Sequence, residues 1–319
     1  MNNTLSEIAD KLNNSERVAV FCHARPDGDA LGSGLALCAA LKRAGKTAYM
    51  CCEDMPPEKF SFLGETASVL NEIPDIDYDT FVSVDCADIT RLGVHSKRFS
   101  RFKGATVNID HHVSNGGFAK YNYVSECPAT SEIITELFQV AGWEVTKEIS
   151  DLLMLGLITD SGNFVHQDVS EKTFKTAAFL RGKGADVNTI NYQMFARQPK
   201  ARALLYGRVI GKIRFALNDK LAFIVISEKD MSETGADKSL TEGFVDFALT
   251  VDGVEVSVSV MEYKNGCYKA SLRSKGRVNV NAVAAQFGGG GHILASGCML
   301  FGELEEVIEK LTFAVSQNL

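Results

Sequence analysis

Two rhythms alternate along the chain. Short runs rich in β-branched and apolar side chains, Arg17–Ala24, Thr47–Cys52, Thr80–Asp85 and Ala105–Asp110, read as strands. Between and after them, longer apolar-periodic stretches at Leu31–Ala44 (closed by Gly45), Ala129–Ala141 and Ile149–Ile158 read as helices. Strands alternating with helices are the sequence form of a parallel sheet covered on both faces. The pattern therefore predicts an α/β fold, doubly wound and mainly parallel, over residues 1–190, with a last helix from Ser170 to Lys183. Residues 191–215 are helical but mixed, are interrupted at Pro199, and read as a connector. Residues 216–319 read as a second, smaller α/β domain, with a cleft expected between the two. Its strands are Leu221–Ser227, Val254–Glu262 and Tyr268–Arg273, followed by a helix Asn279–Phe287, four glycines, a short strand and a closing helix from Glu303. The apolar helices at Ile133–Val140 and Leu152–Ile158 read equally as core or as a homodimer surface.

Composition narrows the class. With 319 residues, 45% hydrophobic and 23% charged, the chain has an ordinary globular balance. No stretch approaches the ~18–20 apolar residues of a membrane span, and the first ten residues lack the basic-then-apolar layout of a signal peptide. A cytoplasmic protein without a membrane partner is expected. The eight cysteines are scattered without a C-x-x-C and read as reduced core thiols. The net charge of −7 resides in the first domain, where residues 1–190 carry 18 Lys/Arg against 26 Asp/Glu; residues 191–319 carry 15 against 14. Such a chain offers no basic stripe for gripping long nucleic acid.

The candidate chemistry lies at the ends of the first-domain elements, where open α/β sheets bind ligands. Four segments supply it: His23-Ala-Arg-Pro-Asp27-Gly-Asp29, Val84-Asp85, Asp110-His111-His112 and Thr159-Asp160. Singly, each has an ordinary explanation, since an Asp after a strand commonly caps a helix. Jointly, five carboxylates on one sheet edge repel each other unless cations sit among them. Imidazole and carboxylate without thiolate suit Mn²⁺, Mg²⁺ or Co²⁺ better than a structural zinc site. So many ligands exceed one ion's needs, and two bridged ions activate water for displacement at phosphorus. In the second domain, Gly288-Gly289-Gly290-Gly291-His292, preceded by a basic strand with Arg273, reads as an anion clamp for substrate, against the alternative of a flexible loop.

These motifs resemble the DHH superfamily of phosphoesterases, in its two-domain branch of nanoRNases and 3′-phosphoadenosine 5′-phosphate phosphatases. The resemblance rests on H-A-R-P-D-G-D-A-L-G-S at 23–33, V-D-C-A-D at 84–88, N-I-D-H-H at 108–112, G-L-I-T-D-S-G at 156–162 and the C-terminal G-G-G-G-H. It implies one Mn²⁺ on His23, Asp27, Asp85 and Asp160, and a second on Asp29, Asp85 and His111, with Asp160 as a further bridge. It also implies that Asp110 fixes an imidazole tautomer and that His112 contacts the scissile phosphate or protonates the leaving oxygen. Arg273 and Gly289, Gly290, Gly291 and His292 would hold the far end of a short oligoribonucleotide or small nucleotide. The chain departs from the family at Ile293-Leu294, where a Lys commonly follows the glycine-His loop. Competing readings are a RecJ-type single-strand DNA exonuclease, an inorganic pyrophosphatase, a soluble cyclic di-adenylate phosphodiesterase and a non-catalytic nucleotide sensor.

Overall fold

The computed structural model describes residues 2–263 and 266–319, which fall into two compact units, Met1–Arg197 and Gln198–Leu319. The first unit is built on six strands: β1 (Arg17–Phe21), β2 (Thr47–Cys51), β3 (Val69–Leu70), β4 (Thr80–Val84), β5 (Ala105–Asp110) and β6 (Tyr121–Val124). They pair in the order β3-β2-β1-β4-β5-β6, every pair parallel. This is the doubly wound arrangement expected from the alternation, with the chain reversing direction between β1 and β4. Its helices are α1 (Leu5–Asn13), α2 (Gly28–Arg43), α3 (Ser96–Arg101), α4 (Thr130–Ala141), α5 (Lys147–Asp160), α6 (Glu171–Gly182) and α7 (Val187–Asn191).

Side chains alternate across the sheet. Val18, Val20 and Cys22 join the large core with α1, α2, α4 and α5, while Ala19 and Phe21 join a second, aromatic cluster with Phe81 and Phe99. The helices read as either core or dimer surface are core: Ile133, Ile134, Leu137, Phe138 and the whole of 152–158 are buried, although Val140 is exposed. Strand β1 stops before the expected Ala24, and β4 stops before Asp85, which takes a left-handed backbone angle (φ 52°) that no strand continues. Helix α2 starts three residues earlier than Leu31, since Asp27 caps it. Helix α1, which opens with a Thr4/Glu7 capping box, and the short strands β3 and β6 add to the expected elements.

Helices α2 and α5 cross at bare backbone. A Cβ on Gly32 would collide with the Leu152 carbonyl and lie 3.0 Å from the Gly156 nitrogen. That approach brings the amino end of α2 beside the carboxyl end of α5.

The second unit contains α8 (Lys200–Ile210), β7 (Arg214–Ala216), β8 (Leu221–Ile226), α9 (Glu228–Thr234), α10 (Phe244–Leu249), β9 (Val256–Tyr263), β10 (Cys267–Ser274), α11 (Val280–Ala285), β11 (Gly290–Gly291), β12 (Ala295–Phe301) and α12 (Leu304–Ser316). Its sheet runs β11-β12-β10-β9-β8-β7, with β8–β9 parallel and the other pairs antiparallel. Of the residues read as a connector, 200–210 form α8, whose Leu205 and Val209 are core of this unit. The elements β7, α9 and α10 were not anticipated. All eight cysteines are free thiols, six of them buried. Among the described residues no helix is long and apolar enough to cross a membrane.

Candidate metal centre

Between β1 and β4 the strand order reverses, which opens a crevice at the carboxyl ends of the sheet. Strand β1 delivers His23 there, β4 delivers Asp85, and β5 ends on Asp110 followed by His111 and His112. The amino end of α2 adds Asp27 and Asp29, and the carboxyl end of α5 adds Asp160.

Ligand-type atoms gather within 4.8 Å of one another in three overlapping groups that all contain Asp85: His23/Asp27/Asp85, Asp29/Asp85/His111/Asp160 and Asp85/His111/His112. Asp160 groups with Asp29 and His111 rather than with His23 and Asp27. The His23 Nε2 atom lies 3.4 Å from Asp27 Oδ2 and 3.6 Å from Asp85 Oδ2. The His111 Nε2 atom lies 3.2 Å from Asp160 Oδ2 and 3.5 Å from Asp85 Oδ1, yet it is buried and forms no hydrogen bond of acceptable geometry.

Each imidazole is oriented by its other nitrogen. The Nδ1 atoms of His23 and His111 sit 2.8 Å from the carbonyls of Ala24 and Cys127, so Nδ1 donates and Nε2 is the atom turned to the cluster. His112 differs: its Nδ1 donates to Asp110 Oδ1 at 2.8 Å, which takes that nitrogen out of any ligand role and leaves Nε2 free. Buried Asp110 also accepts from Asn115 Nδ2 at 2.6 Å.

The carboxylates are held by helix ends. Asp27 Oδ1 accepts from the backbone of Asp29 and Ala30 as the cap of α2, which leaves Oδ2 facing His23. Helix α4 begins after Ala129, which has no capping side chain, and Asp29 supplies the cap from elsewhere by accepting from Thr130 N (2.5 Å) and Ser131 N (2.9 Å). Thr130 Oγ1 in turn donates to Asp85 Oδ1 at 3.1 Å. Asp160 sits at a helix carboxyl end, the unfavourable pole for an anion.

The electrostatics are those of concentrated negative charge. Burial pushes Asp29 well up, with the Asp85 and Asp160 charges adding to it. Asp160 is raised by burial and by Asp85 and Asp27 in spite of His111. Burial alone would lower His23, but the Asp27 and Asp85 carboxylates carry it up to about 10; His111 likewise reaches about 10 through Asp160, Asp29 and Asp85. Burial opposes ionisation of Asp27 as well, yet His23 and the α2 amides hold it at about 2. Burial would raise Asp110, but the bonds from His112 and Asn115 keep it below the usual carboxylate range. Among the described residues no Lys or Arg pairs with Asp29, Asp85 or Asp160. Hard oxygen donors, two free imidazole nitrogens and no organic counterion fit a pair of divalent cations.

In the second unit, Arg273 on β10 points its Nε at Asp246 Oδ1 (3.2 Å), and its register partner on β12 is Ala295. The glycine run is ordered: Gly290 and Gly291 form β11 against Gly297 and Ser296. A side chain on Gly289 would strike the Gly297 carbonyl, and Gly291 has φ 147°. The exposed His292 closes a turn with Ala295 through two backbone bonds, 2.8 and 3.2 Å. Within this unit Arg273 and His292 thus flank the same strand end.

Sequence reasoning missed Thr130, Ser131, Asn115 and His166, whose Nδ1 lies 2.8 Å from the Asp160 carbonyl. Thr130 and Ser131 bond Asp29 through their backbone amides from about a hundred residues away, which leaves no local signal, whereas Asn115 follows Asp110 by five residues and His166 follows Asp160 by six.

Residues 17–157 match the N-terminal domain of the DHH family, and residues 209–318 match the DHHA1 domain. The chain is 31% identical over 306 residues to the bifunctional oligoribonuclease and PAP phosphatase NrnA of Thermus thermophilus, covering 95% of this chain and 90% of that one. It is 28% identical over 311 residues to the probable bifunctional oligoribonuclease and PAP phosphatase NrnA of Streptococcus mutans, covering 95% and 96%. Among solved structures, an exopolyphosphatase-related protein from Bacteroides fragilis shares the fold, with a TM-score of 0.82, 24% identity and coverage of 98% and 95%.

Proposed function

Since this chain belongs to the DHH family and is a phosphoesterase, we propose that it hydrolyses short oligoribonucleotides, linear di-adenylate among them, and 3′-phosphoadenosine 5′-phosphate. The observation that carries this reading is the convergence of Asp27, Asp29, Asp85 and Asp160 with the Nε2 atoms of His23 and His111 on one sheet edge, without a Lys or Arg among them. His23, Asp27 and Asp85 would hold one divalent cation, and Asp29, Asp85, His111 and Asp160 a second, Mn²⁺ before Mg²⁺ or Co²⁺. Bound there, the ions supply an acidified water and charge stabilisation at phosphorus.

The protein's own groups do the rest. Asp110, fixed by Asn115, holds the His112 Nδ1 proton and so presents Nε2 to the phosphate or to the leaving oxygen. Arg273 and His292, with the backbone of Gly289, Gly290 and Gly291, take an anionic end of the substrate. Full-length similarity to oligoribonuclease and PAP phosphatase relatives favours this over the RecJ-type exonuclease, the pyrophosphatase, the cyclic di-adenylate phosphodiesterase and the silent sensor.

The test is to strip the protein with chelator, restore Mn²⁺ or Mg²⁺, and compare a two-nucleotide RNA, a long RNA, a long single-stranded DNA, 3′-phosphoadenosine 5′-phosphate and pyrophosphate. The dinucleotide and the bisphosphate should lead, and His111→Ala should remove their hydrolysis. Faster cleavage of the long DNA, or full activity in His111→Ala, overturns the reading.

A further inference from the structure

The parallel sheet has two edges, and the metal cluster occupies only the carboxyl one. At the amino edge, the segments entering β4 and β5 enclose a groove of about 520 Å³ lined by Asp77, Tyr78, Arg98, Arg101, Phe102 and Lys103, among others. The five residues of β4 separate the two edges by roughly 16 Å at ~3.3 Å per residue. One short phosphodiester cannot lie in both.

The groove is basic on an acidic unit. Some cations of this unit rest on carboxylates, as in Arg43–Glu144, Lys147–Asp151, Lys172–Glu136 and Lys175–Glu171, and others do not. Arg98, Arg101 and Lys103 make no ion pair among the described residues. Lys120 adds charge at the rim, its Nζ fastening the carbonyls of Lys103 (3.0 Å) and Gly104 (2.5 Å). The one carboxylate in the lining, Asp77, is 94% exposed and has Arg17 at 3.4 Å.

A second, independent observation points to a ligand. Tyr78 is only 7% exposed, and its hydroxyl has no hydrogen-bond partner. Buried hydroxyls are ordinarily satisfied. Burial pushes the phenol up to about 12, so at neutral pH it remains an O–H donor. Phe102, stacked on Phe81 at 3.7 Å and 7°, gives the groove a rigid wall. Two guanidinium forks, an ammonium and an unused donor match phosphate oxygens.

We propose that this amino-edge groove is a second, non-catalytic binding site for a phosphate-bearing small anion, gripped by Arg98, Arg101 and Lys103. Its size admits a nucleoside diphosphate as readily as inorganic pyrophosphate.

The test photolabels the full, Mn²⁺-supplemented chain with 8-azido-adenosine 5′-diphosphate, maps the labelled peptide, and repeats the labelling with excess pyrophosphate. Label is expected within residues 74–104. Complete competition by pyrophosphate identifies the phosphate itself as the ligand, and its failure to compete identifies the nucleotide. The double variant Arg98→Ala/Arg101→Ala should lose about tenfold or more of the labelling, and Tyr78→Phe a smaller part. Both should retain Mn²⁺-dependent hydrolysis, which reports that they fold. Label confined to peptides bearing His111 or Arg273, or labelling unchanged in the double variant, overturns the proposal.

Discussion

Asp27 divides its carboxylate, with Oδ1 capping α2 and Oδ2 facing His23. The sequence alone presented these as rival explanations, and the structure makes them compatible, because the cap fixes the rotamer that aims the second oxygen. The charge state of its neighbours gives a pH prediction. Without metal, His23 and His111 are raised to about 10, so their protonation stabilises the fold fully below about 6.5 and is lost as pH rises through 10. Asp29 is also raised, and its ionisation costs stability in the same upward direction. Cations replace those protons, so the rise in Tm on adding Mn²⁺ should be small at pH 6 and grow steadily to pH 9. Differential scanning fluorimetry across that range checks it, and a shift independent of pH would refute the ligand roles of both imidazoles. Thr130, Ser131 and Asn115 were illegible at this scale. Thr130 and Ser131 act on Asp29 across about a hundred residues, and Asn115 is an unremarkable loop residue until Asp110 is seen behind it.

At the scale of elements, the site depends on how closely α2 and α5 cross. Gly28, Gly32 and Gly156 permit the approach, and a Cβ on Gly156 would meet Asp29 Oδ1 and lie 2.8 Å from Ser131 Oγ. Gly156→Ala should therefore cost about 1–3 kcal/mol of stability, as overpacking does. It should also weaken Mn²⁺ binding, because the collision is with a proposed ligand; calorimetric titration read beside urea unfolding separates the two effects. The strands and long helices of the first unit were legible because their periodicity is strong and their core continuous. What escaped, besides α1 ahead of the first strand, was short or framed by unusual backbone: β3, β6 and β7, the small helices α9 and α10, and the left-handed Asp85 that ends β4 earlier than its apolar run suggests. The glycine run showed a need for bare backbone without showing its partner, the facing strand β12.

For the molecule as a whole, charge sets the scale of what it can hold. A net charge of −7 with a few cations near Arg273 suits a substrate with one or two phosphates. The logarithm of kcat/KM for a two-nucleotide RNA should fall against the logarithm of salt with a slope of about −1 to −2. A slope steeper than about −5, measured between low and physiological salt at fixed Mn²⁺, would instead mean that a long backbone track is engaged.

The six proposed ligands are spread from His23 to Asp160, so they are also spread in time during synthesis. At ~5–20 residues per second, the ribosome would present His23, Asp27 and Asp29 on the order of ten seconds before Asp160 emerges. A nascent chain in that interval holds only a loose handful of donors, without the α5 end or the Asp29–α4 clasp to shape them. Choice among the cell's cations would then fall to the finished fold, which offers every prospective ion the same rigid set of distances rather than a flexible peptide that the most avid metal would claim first.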